Sequence, residues 1–292
     1  MKPPAVEYQR AGGREEAIAL LNEYGDEAKL LAGGQSLIPL MSFRLAQPGV
    51  LIDLNPATDL DHVDVDNGHV VIGAMTRQRA VETSRSVADS LPLLSEALRH
   101  VGHVTLRNRG TIGGSVAHAD PAAEIPVALL ALDGELVVEG PNGTRVVGSQ
   151  DFFIGPFTTV LEPTEILTSV RVPRSAAGSG AAIMELARRH GDFAIVTVAA
   201  VVNVDGSGKC DSARIALGGV ESVPARLKEA ESVLQDAEPS DEAIQEAADA
   251  AAGAVDPVSD IHGSASYRRD MTRVFVRRVL AQAVESAKGG AA

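Results

Sequence analysis

The chain has 292 residues, 45% of them hydrophobic, which is enough for a sizeable core and for about two domains. Its net charge of −13 argues against a nucleic-acid backbone or an anionic membrane surface as the main partner. The chain has a single cysteine, Cys210, so an internal disulfide, an iron–sulfur cluster held by cysteines and a zinc ribbon are excluded. We interpret Cys210 as a small core or surface residue.

The first part of the chain is predicted to form a small βαβ-like unit. A helix is expected over 14–25, where apolar residues recur at helical spacing and a glycine stands at the end. Strands are expected over 28–33 and 49–54, and a short helix over 36–45 lies between them. Ser36 is a plausible N-cap for that helix.

The next part, up to residue 173, alternates between strands and helices. Its pattern predicts the following elements: hairpins over 62–74 and 135–148, helices over 90–101 and 122–134, and a strand over 164–173. The hairpins turn at Asp-Asn-Gly and Pro-Asn-Gly, which are common turn sequences.

A Gly/Ser-rich run over 174–181 is the best linker candidate. After it, the pattern predicts a three-stranded antiparallel set over 183–191, 193–204 and 210–220, and then helices over 224–235, 241–252 and 266–288. We therefore expect an α+β protein in two lobes. The first domain would be 1–176, with subdomains of about 1–57 and 58–176, and the second would be 177–292.

Two glycine loops are the strongest candidates for a binding site. The first consists of Ala32, Gly33, Gly34, Gln35 and Ser36, and the second of Thr111, Ile112, Gly113, Gly114 and Ser115. Adjacent glycines can turn consecutive N–H groups toward one point and let an anion approach closely. Two such loops could hold two phosphates of a dinucleotide. Taken singly, each loop is better explained as an ordinary turn, because Gly-Gly is common, and neither fits the Rossmann or P-loop motif.

The surroundings of the two loops are more specific. The stretches LLAGGQSLIPLM and TLRNRGTIGGSVAHADPAAEIP, with ARRHGDFAIV further on, resemble the FAD-binding subunit of the molybdenum hydroxylases. That family includes the medium subunit of aerobic carbon monoxide dehydrogenase and the flavin domain of xanthine dehydrogenase. The resemblance runs along nearly the whole chain. It implies a two-subdomain FAD module of the vanillyl-alcohol-oxidase type, followed by a small α+β domain.

The resemblance also implies roles for single residues. The two glycine loops would hold the FAD pyrophosphate. Further cofactor contacts are implied at Glu124 (sugar), Val101 (apolar, beside the second loop), Leu167 (adenine side) and Phe193 (next to the isoalloxazine). Asp120 could contact FAD or cap the following helix. FAD is thus the cofactor that this chain is expected to hold.

No catalytic residue and no metal site is predicted in this chain. No Ser/His/Asp triad or activated cysteine suggests itself, and His100, His103 and His118 lack partners at ligand spacing, so structural roles are expected for them. For two arginine pairs the sequence leaves alternatives open. Arg107 and Arg109 could help a phosphate or lie in a solvated turn, and Arg188 and Arg189 could pair locally with Asp192 or orient the flavin-side loop.

The resemblance implies an electron-transfer subunit of a molybdenum hydroxylase. Separate partners, a small [2Fe–2S] subunit and a large molybdopterin subunit, would form a dimer of heterotrimers with it. A stand-alone FAD oxidase of the same fold is the alternative, and a nucleotide-binding scaffold without redox chemistry is a third hypothesis. No apolar run reaches the roughly 20 residues that span a bilayer, and no secretory signal is seen, so a cytoplasmic location is expected.

Overall fold

A computed structural model describes residues 2–66 and 68–289 of the chain. Asn67 in the predicted turn of the 62–74 hairpin, and residues 290–292 of the predicted second domain, lie outside the described residues.

The described residues form fourteen strands and twelve α-helices. The strands are β1 (Glu7–Arg10), β2 (Ala28–Leu31), β3 (Val50–Asp53), β4 (Val63–Val65), β5 (His69–Gly73), β6 (Glu135–Gly140), β7 (Gly143–Gly148), β8 (Phe153–Gly155), β9 (Thr158–Thr159), β10 (Ile166–Pro173), β11 (Ser179–Leu186), β12 (Val196–Val204), β13 (Cys210–Gly218) and β14 (Ala225–Arg226). The helices are α1 (Arg14–Tyr24), α2 (Leu37–Ser42), α3 (Gln78–Thr83), α4 (Arg85–Ser90), α5 (Pro92–His100), α6 (Val104–Arg107), α7 (Ile112–His118), α8 (Glu124–Ala131), α9 (Ser149–Phe152), α10 (Lys228–Leu234), α11 (Asp241–Ala254) and α12 (Ala265–Gly289).

The N-terminal layer is a three-stranded parallel sheet in the order β1-β3-β2. The predicted helix and the two predicted strands of this region are present as α1, β2 and β3. β1 is not predicted from the sequence, because only one of its four residues is even half-buried and no apolar alternation marks it. The carboxyl ends of the three strands meet at one edge of the sheet, where the first glycine loop follows β2.

The middle layer is a five-stranded antiparallel sheet in the order β4-β5-β10-β6-β7. Every residue of α8 is buried. This helix contributes to a hydrophobic core that also contains residues of the sheet and of the C-terminal strands β12 and β13. Because α8 is covered on all sides, its sequence after Glu124 is apolar throughout and shows no helical periodicity.

The C-terminal layer is a four-stranded antiparallel sheet in the order β11-β12-β13-β14, and α10, α11 and α12 share a second core with it. Two sequence predictions are corrected here. The set has four strands, because residues 225–226 pair with β13, so the helix predicted over 224–235 begins only at Lys228. The linker predicted over 174–181 ends early, because Ser179 already pairs with Asn203 in β11.

No helix within residues 2–66 and 68–289 is both long enough and apolar enough to span a bilayer. Cys210, at the start of β13, is fully buried, and burial raises the pKa of its thiol to about 11. Of the two placements considered for Cys210, core or surface, the structure shows the core.

Candidate functional site

The structure brings the two glycine loops into contact. A Cβ on Gly33 would overlap the carbonyl oxygen of Arg109, just before the second loop. A Cβ on Gly114 would lie 3.4 Å from the Cβ of Ala32 and 2.7 Å from the hydroxyl oxygen of Thr111. The absence of side chains at these two glycines is what allows the loops to approach so closely.

The second loop uses its backbone donors inside the protein. The amides of 112–115 donate to the carbonyl of Thr76 (3.0 Å), the carbonyl of Ala74 (2.9 Å), the hydroxyl of Thr111 (3.0 Å) and the carbonyl of Thr111 (3.2 Å). This corrects the expectation that both loops present consecutive amides to a phosphate. The second loop is instead a rigid support, and its free polar group is the Ser115 hydroxyl, which has no hydrogen-bond partner among the described residues.

The first loop has the opposite character. Within the part of the chain that the structure describes, the amides of residues 33–36 donate to no protein group. Gly34 has φ +71°, a left-handed conformation that favours glycine, and the Gln35 side-chain amide folds back to the carbonyl of Gly33 at 3.0 Å. A run of unpaired N–H groups in such a bend is suited to an anion.

Ser36 lies at the N-cap position of α2, as predicted, but its hydroxyl caps no amide of that helix. The hydroxyl is therefore available next to the unpaired amides. Because α2 has only six residues, we attribute anion affinity to the bend and not to a helix dipole.

Asp120 and Glu124 lie beyond the second loop, on the way from α7 to α8. The Asp120 carboxylate accepts the amide of Ala122 at 2.9 Å in the turn before α8. It does not cap α8, whose N-cap residue is Ala123, so that alternative does not apply. Glu124 is only 8% exposed. Burial, and then the charge of Glu185, raise the pKa of Glu124 to about 8.

The remaining three predicted contacts lie in different surroundings. Val101 is half-buried, and its carbonyl accepts the guanidinium of Arg107 at 2.8 Å. Leu167 lies in β10 within the hydrophobic core, whereas Phe193, between β11 and β12, is 78% exposed. Their assignment to a cofactor stays a prediction, as do the contacts assigned to the two loops.

Two polar residues that were not predicted connect the loops. Asn55 donates from Nδ2 to the carbonyl of Ala32 (3.1 Å), and Arg77 donates to the side-chain carbonyl of Asn55 (2.6 Å) and to the carbonyl of Arg109 (2.5 Å). A polar residue just after the apolar strand β3 was a usable signal for Asn55, since ligand sites lie at the carboxyl ends of such strands. Nothing in the sequence around Arg77 marks it.

The other polar candidates are structural. Arg107 is buried and bonded to both carboxylate oxygens of Glu82 (2.8 and 3.0 Å), so neither alternative left open for it applies. Arg189 pairs with Asp192 at 3.1 Å, which is the local ion pair considered above. His118 packs on Phe157 with ring centroids 5.1 Å apart, and no group of three or more metal-ligating side chains occurs among the described residues.

Comparison with protein families identifies the family of the chain, which the geometry alone does not. Residues 4–175 match the family described as the FAD binding domain in molybdopterin dehydrogenase. The chain belongs to this family. Residues 181–283 of this FAD-binding subunit match a second family, described as the carbon monoxide dehydrogenase flavoprotein C-terminal domain.

Similar proteins cover the FAD-binding subunit from end to end. It is 44% identical over 288 residues to 6-hydroxypseudooxynicotine dehydrogenase complex subunit alpha of Paenarthrobacter nicotinovorans, covering 99% of this chain and 97% of that protein. It is 41% identical over 280 residues to the carbon monoxide dehydrogenase medium chain of Hydrogenophaga pseudoflava, covering 96% and 97%. A solved structure of carbon monoxide dehydrogenase from the same organism superposes with a TM-score of 0.96, covering 98% of this chain and 99% of that one.

The family resemblance, the α+β fold with an FAD module and a C-terminal domain, the oxidoreductase class and the FAD cofactor are thus confirmed. The residues of this FAD-binding subunit also fit the cofactor on their own evidence. The unpaired amides of 33–36 and the hydroxyls of Ser36 and Ser115 are donors, as a diphosphate requires.

Proposed function

We propose that this chain is the FAD-binding electron-transfer subunit of a molybdenum hydroxylase, taking electrons from iron–sulfur clusters of a partner subunit and passing them through FAD to an external acceptor. The observation that carries the proposal is the run of unpaired amides at 33–36, which lies against the second loop in a chain of this family. When bound, FAD supplies the redox chemistry, and the protein supplies binding and orientation.

The proposed site contains fifteen residues. They are Ala32, Gly33, Gly34, Gln35 and Ser36 of the first loop, Thr111, Ile112, Gly113, Gly114 and Ser115 of the second, and Val101, Asp120, Glu124, Leu167 and Phe193. In this proposal the first loop binds the pyrophosphate directly, and the second loop supports it and adds the Ser115 hydroxyl. Glu124 would contact the sugar part of FAD through its carboxyl group, whose pKa burial raises. The exposed ring of Phe193 is suited to stack beside the isoalloxazine.

The proposal includes the partners and the division of the chain. A chain with one cysteine cannot ligate [2Fe–2S] clusters, so a small iron–sulfur subunit and a large molybdopterin subunit would complete a dimer of heterotrimers. Relatives bear the names medium chain and complex subunit alpha, which supports a multi-subunit assembly. The proposal also includes a cytoplasmic location. It divides the chain into a first domain of 1–176, with subdomains of about 1–57 and 58–176, and a second domain of 177–292.

FAD titration of the purified full chain tests the loop assignment. We expect Gly33→Ala to lose FAD, because its Cβ would push the two loops apart at Arg109. Gly253→Ala is the matched control, since a Cβ there meets nothing within 4 Å, and it should bind FAD as the wild type does. Ser36→Ala, which removes only a hydroxyl, should weaken binding without changing the circular dichroism. If both loop variants bind FAD normally, the pyrophosphate assignment is wrong.

Turnover assays separate this proposal from a stand-alone flavoprotein oxidase. We expect the FAD-loaded chain alone to oxidise no organic substrate, because in this proposal the molybdenum centre lies in a partner subunit, and to gain activity only with its two partner subunits. Oxidation of a candidate substrate by the chain alone would instead support the alternative.

A further inference from the structure

Hydrogen bonds of the Asn55 side-chain amide and the Arg77 guanidinium connect the two glycine loops. We propose that Asn55 and Arg77 act as a positioning pair, the Asn55–Arg77 clamp, that orients the peptides of the first loop so that their N–H groups face the FAD pyrophosphate. The inference rests on the proposed assignment of the loops and adds two residues that set their geometry.

The side chain of Asn55 is fixed in one orientation. The Asp53 carboxylate, itself 8% exposed, accepts the backbone amide of Asn55 at 2.9 Å and also its Nδ2 group. Tyr8 donates its hydroxyl to the same carboxylate at 2.5 Å. The acceptor Asp53 therefore holds the NH₂ end of Asn55, and the carbonyl end is left to face Arg77.

This orientation determines where the first loop points its donors. Asn55 Nδ2 holds the carbonyl of Ala32 at 3.1 Å. In a trans peptide the C=O and the N–H of one unit point in opposite directions, so the N–H of Gly33 is directed away from Asn55. The Gln35 side chain holds the next carbonyl, that of Gly33, at 3.0 Å and fixes the N–H of Gly34 in the same way.

Arg77 extends the clamp to the second loop. One guanidinium nitrogen donates to Asn55 at 2.6 Å, and another donates to the carbonyl of Arg109 at 2.5 Å. That carbonyl is the group that a Cβ on Gly33 would overlap. Arg77 also forms an isolated antiparallel bridge with Thr111. A planar guanidinium can bond both acceptors at once, whereas a lysine ammonium at the end of a flexible stem does not reproduce this fork.

FAD affinity of the full-length chain tests the clamp. We expect Arg77→Met and Asn55→Ala each to weaken FAD binding by about tenfold or more, as for the loss of a charge-assisted hydrogen bond. Arg77→Lys should recover only part of the loss. Because the two residues act as one unit, the double variant should be little weaker than either single variant. Arg85→Ala is the control, since its side chain is 95% exposed, and should bind FAD like the wild type.

Two further measurements, ADP affinity and circular dichroism, distinguish a positioning role of the clamp from a general loss of structure. The clamp variants should bind ADP, which carries the diphosphate without the flavin, with the same fractional loss as FAD, while their circular dichroism is unchanged. If Gly33→Ala loses FAD but the clamp variants bind FAD normally, the clamp is wrong and the loop assignment stands. If Gly33→Ala and Ser36→Ala also bind FAD normally, the loop assignment itself fails, and the clamp fails with it.

Discussion

Arg107 shows how a charged residue beside a binding loop can serve the fold alone. It is 6% exposed, and its guanidinium bonds Glu82 and the carbonyls of Val101 (2.8 Å) and Gly102 (3.2 Å). The hydrogen bond from Arg107, and after it the one from Arg79, hold the pKa of Glu82 below its usual value. The pair ties the segment before α6 to α3, so the approach to the second glycine loop depends on it.

We expect Arg107→Ala to lower the free energy of unfolding by about 3 kcal/mol, because removing one partner of a buried ion pair leaves the other charge uncompensated. Urea unfolding followed by circular dichroism measures the change. Arg85→Ala, at an exposed position on α4, should differ from the wild type by less than about 0.5 kcal/mol. A loss at Arg107 no larger than at Arg85 would contradict the structural role.

Among the elements, α12 and β11 make an unusually close contact at Gly180. A Cβ on this residue would overlap the carbonyl oxygen of Ala283 and the backbone nitrogen of Ala287 in α12. The helix therefore packs directly on the backbone of the strand. This contact also explains why Ser179 and Gly180, at the end of the predicted linker, are part of a strand.

We expect Gly180→Ala to destabilise the protein by about 2 kcal/mol, because the added methyl group must displace α12 from the sheet. The thermal unfolding midpoint is the measurement. Gly253→Ala, in a helix and with open space around it, should leave the midpoint unchanged or raise it slightly. Equal midpoints for the two variants would show that α12 does not pack against β11 as described.

Periodic and apolar patterns were sufficient to predict the longer elements. Residues 241–252 and 266–288, predicted as helices, correspond to α11 and α12, and the strand predicted over 164–173 corresponds to β10. The short helices α3, α4, α6 and α7 were not predicted. With four to seven residues each, they are too short to show a period, and they are held by tertiary contacts.

The candidate site was predictable only where glycine was needed. Gly33 and Gly114 stand where two backbones approach closely, and this requirement is visible in a sequence. Which loop keeps free amides was not predictable, because it depends on the carbonyls of Thr76 and Ala74, which only the fold brings to the second loop. For the same reason Arg77, whose role depends entirely on long-range partners, was missed.

At the scale of the whole molecule, two carboxyl groups connect the FAD-binding half with the C-terminal half. Glu124 begins α8, and Glu185 lies in β11. Burial raises the pKa of Glu185 to about 7 and that of Glu124 to about 8, and the charges of Glu185 and Asp120 add to the effect on Glu124. Thr197 in β12 donates to Glu185 at 3.5 Å. The pair therefore favours at least one bound proton at neutral pH.

The Glu124–Glu185 pair predicts that the free energy of unfolding falls as the pH rises. Because the folded pKa values lie above the usual 4.5, the folded state binds protons more tightly than the unfolded chain does. The stabilisation is complete below about pH 4.5 and is lost as the pH rises through 7 to 8. Urea unfolding at pH 6 and pH 9 should show the loss in the wild type.

A glutamine at one position should remove much of that loss, since its amide can donate to the remaining carboxyl group at any pH. We therefore expect Glu185→Gln to be less sensitive to pH between 6 and 9, and Glu246→Gln, at an exposed position of α11, to behave like the wild type. An unchanged pH slope in Glu185→Gln would exclude the pair as its source.

The burial of α8 against strands of the C-terminal sheet has a consequence for how the two halves of the chain can vary. The helix belongs to the FAD-binding half, yet its core includes side chains of β12 and β13 from the other half. Replacing either half by that of a distant homologue would change one side of this apolar contact, and we expect the mismatched packing to destabilise the chimaera. We expect substitutions on the facing strands β12 and β13 to require compensating changes in α8, which begins six positions after the last residue of α7.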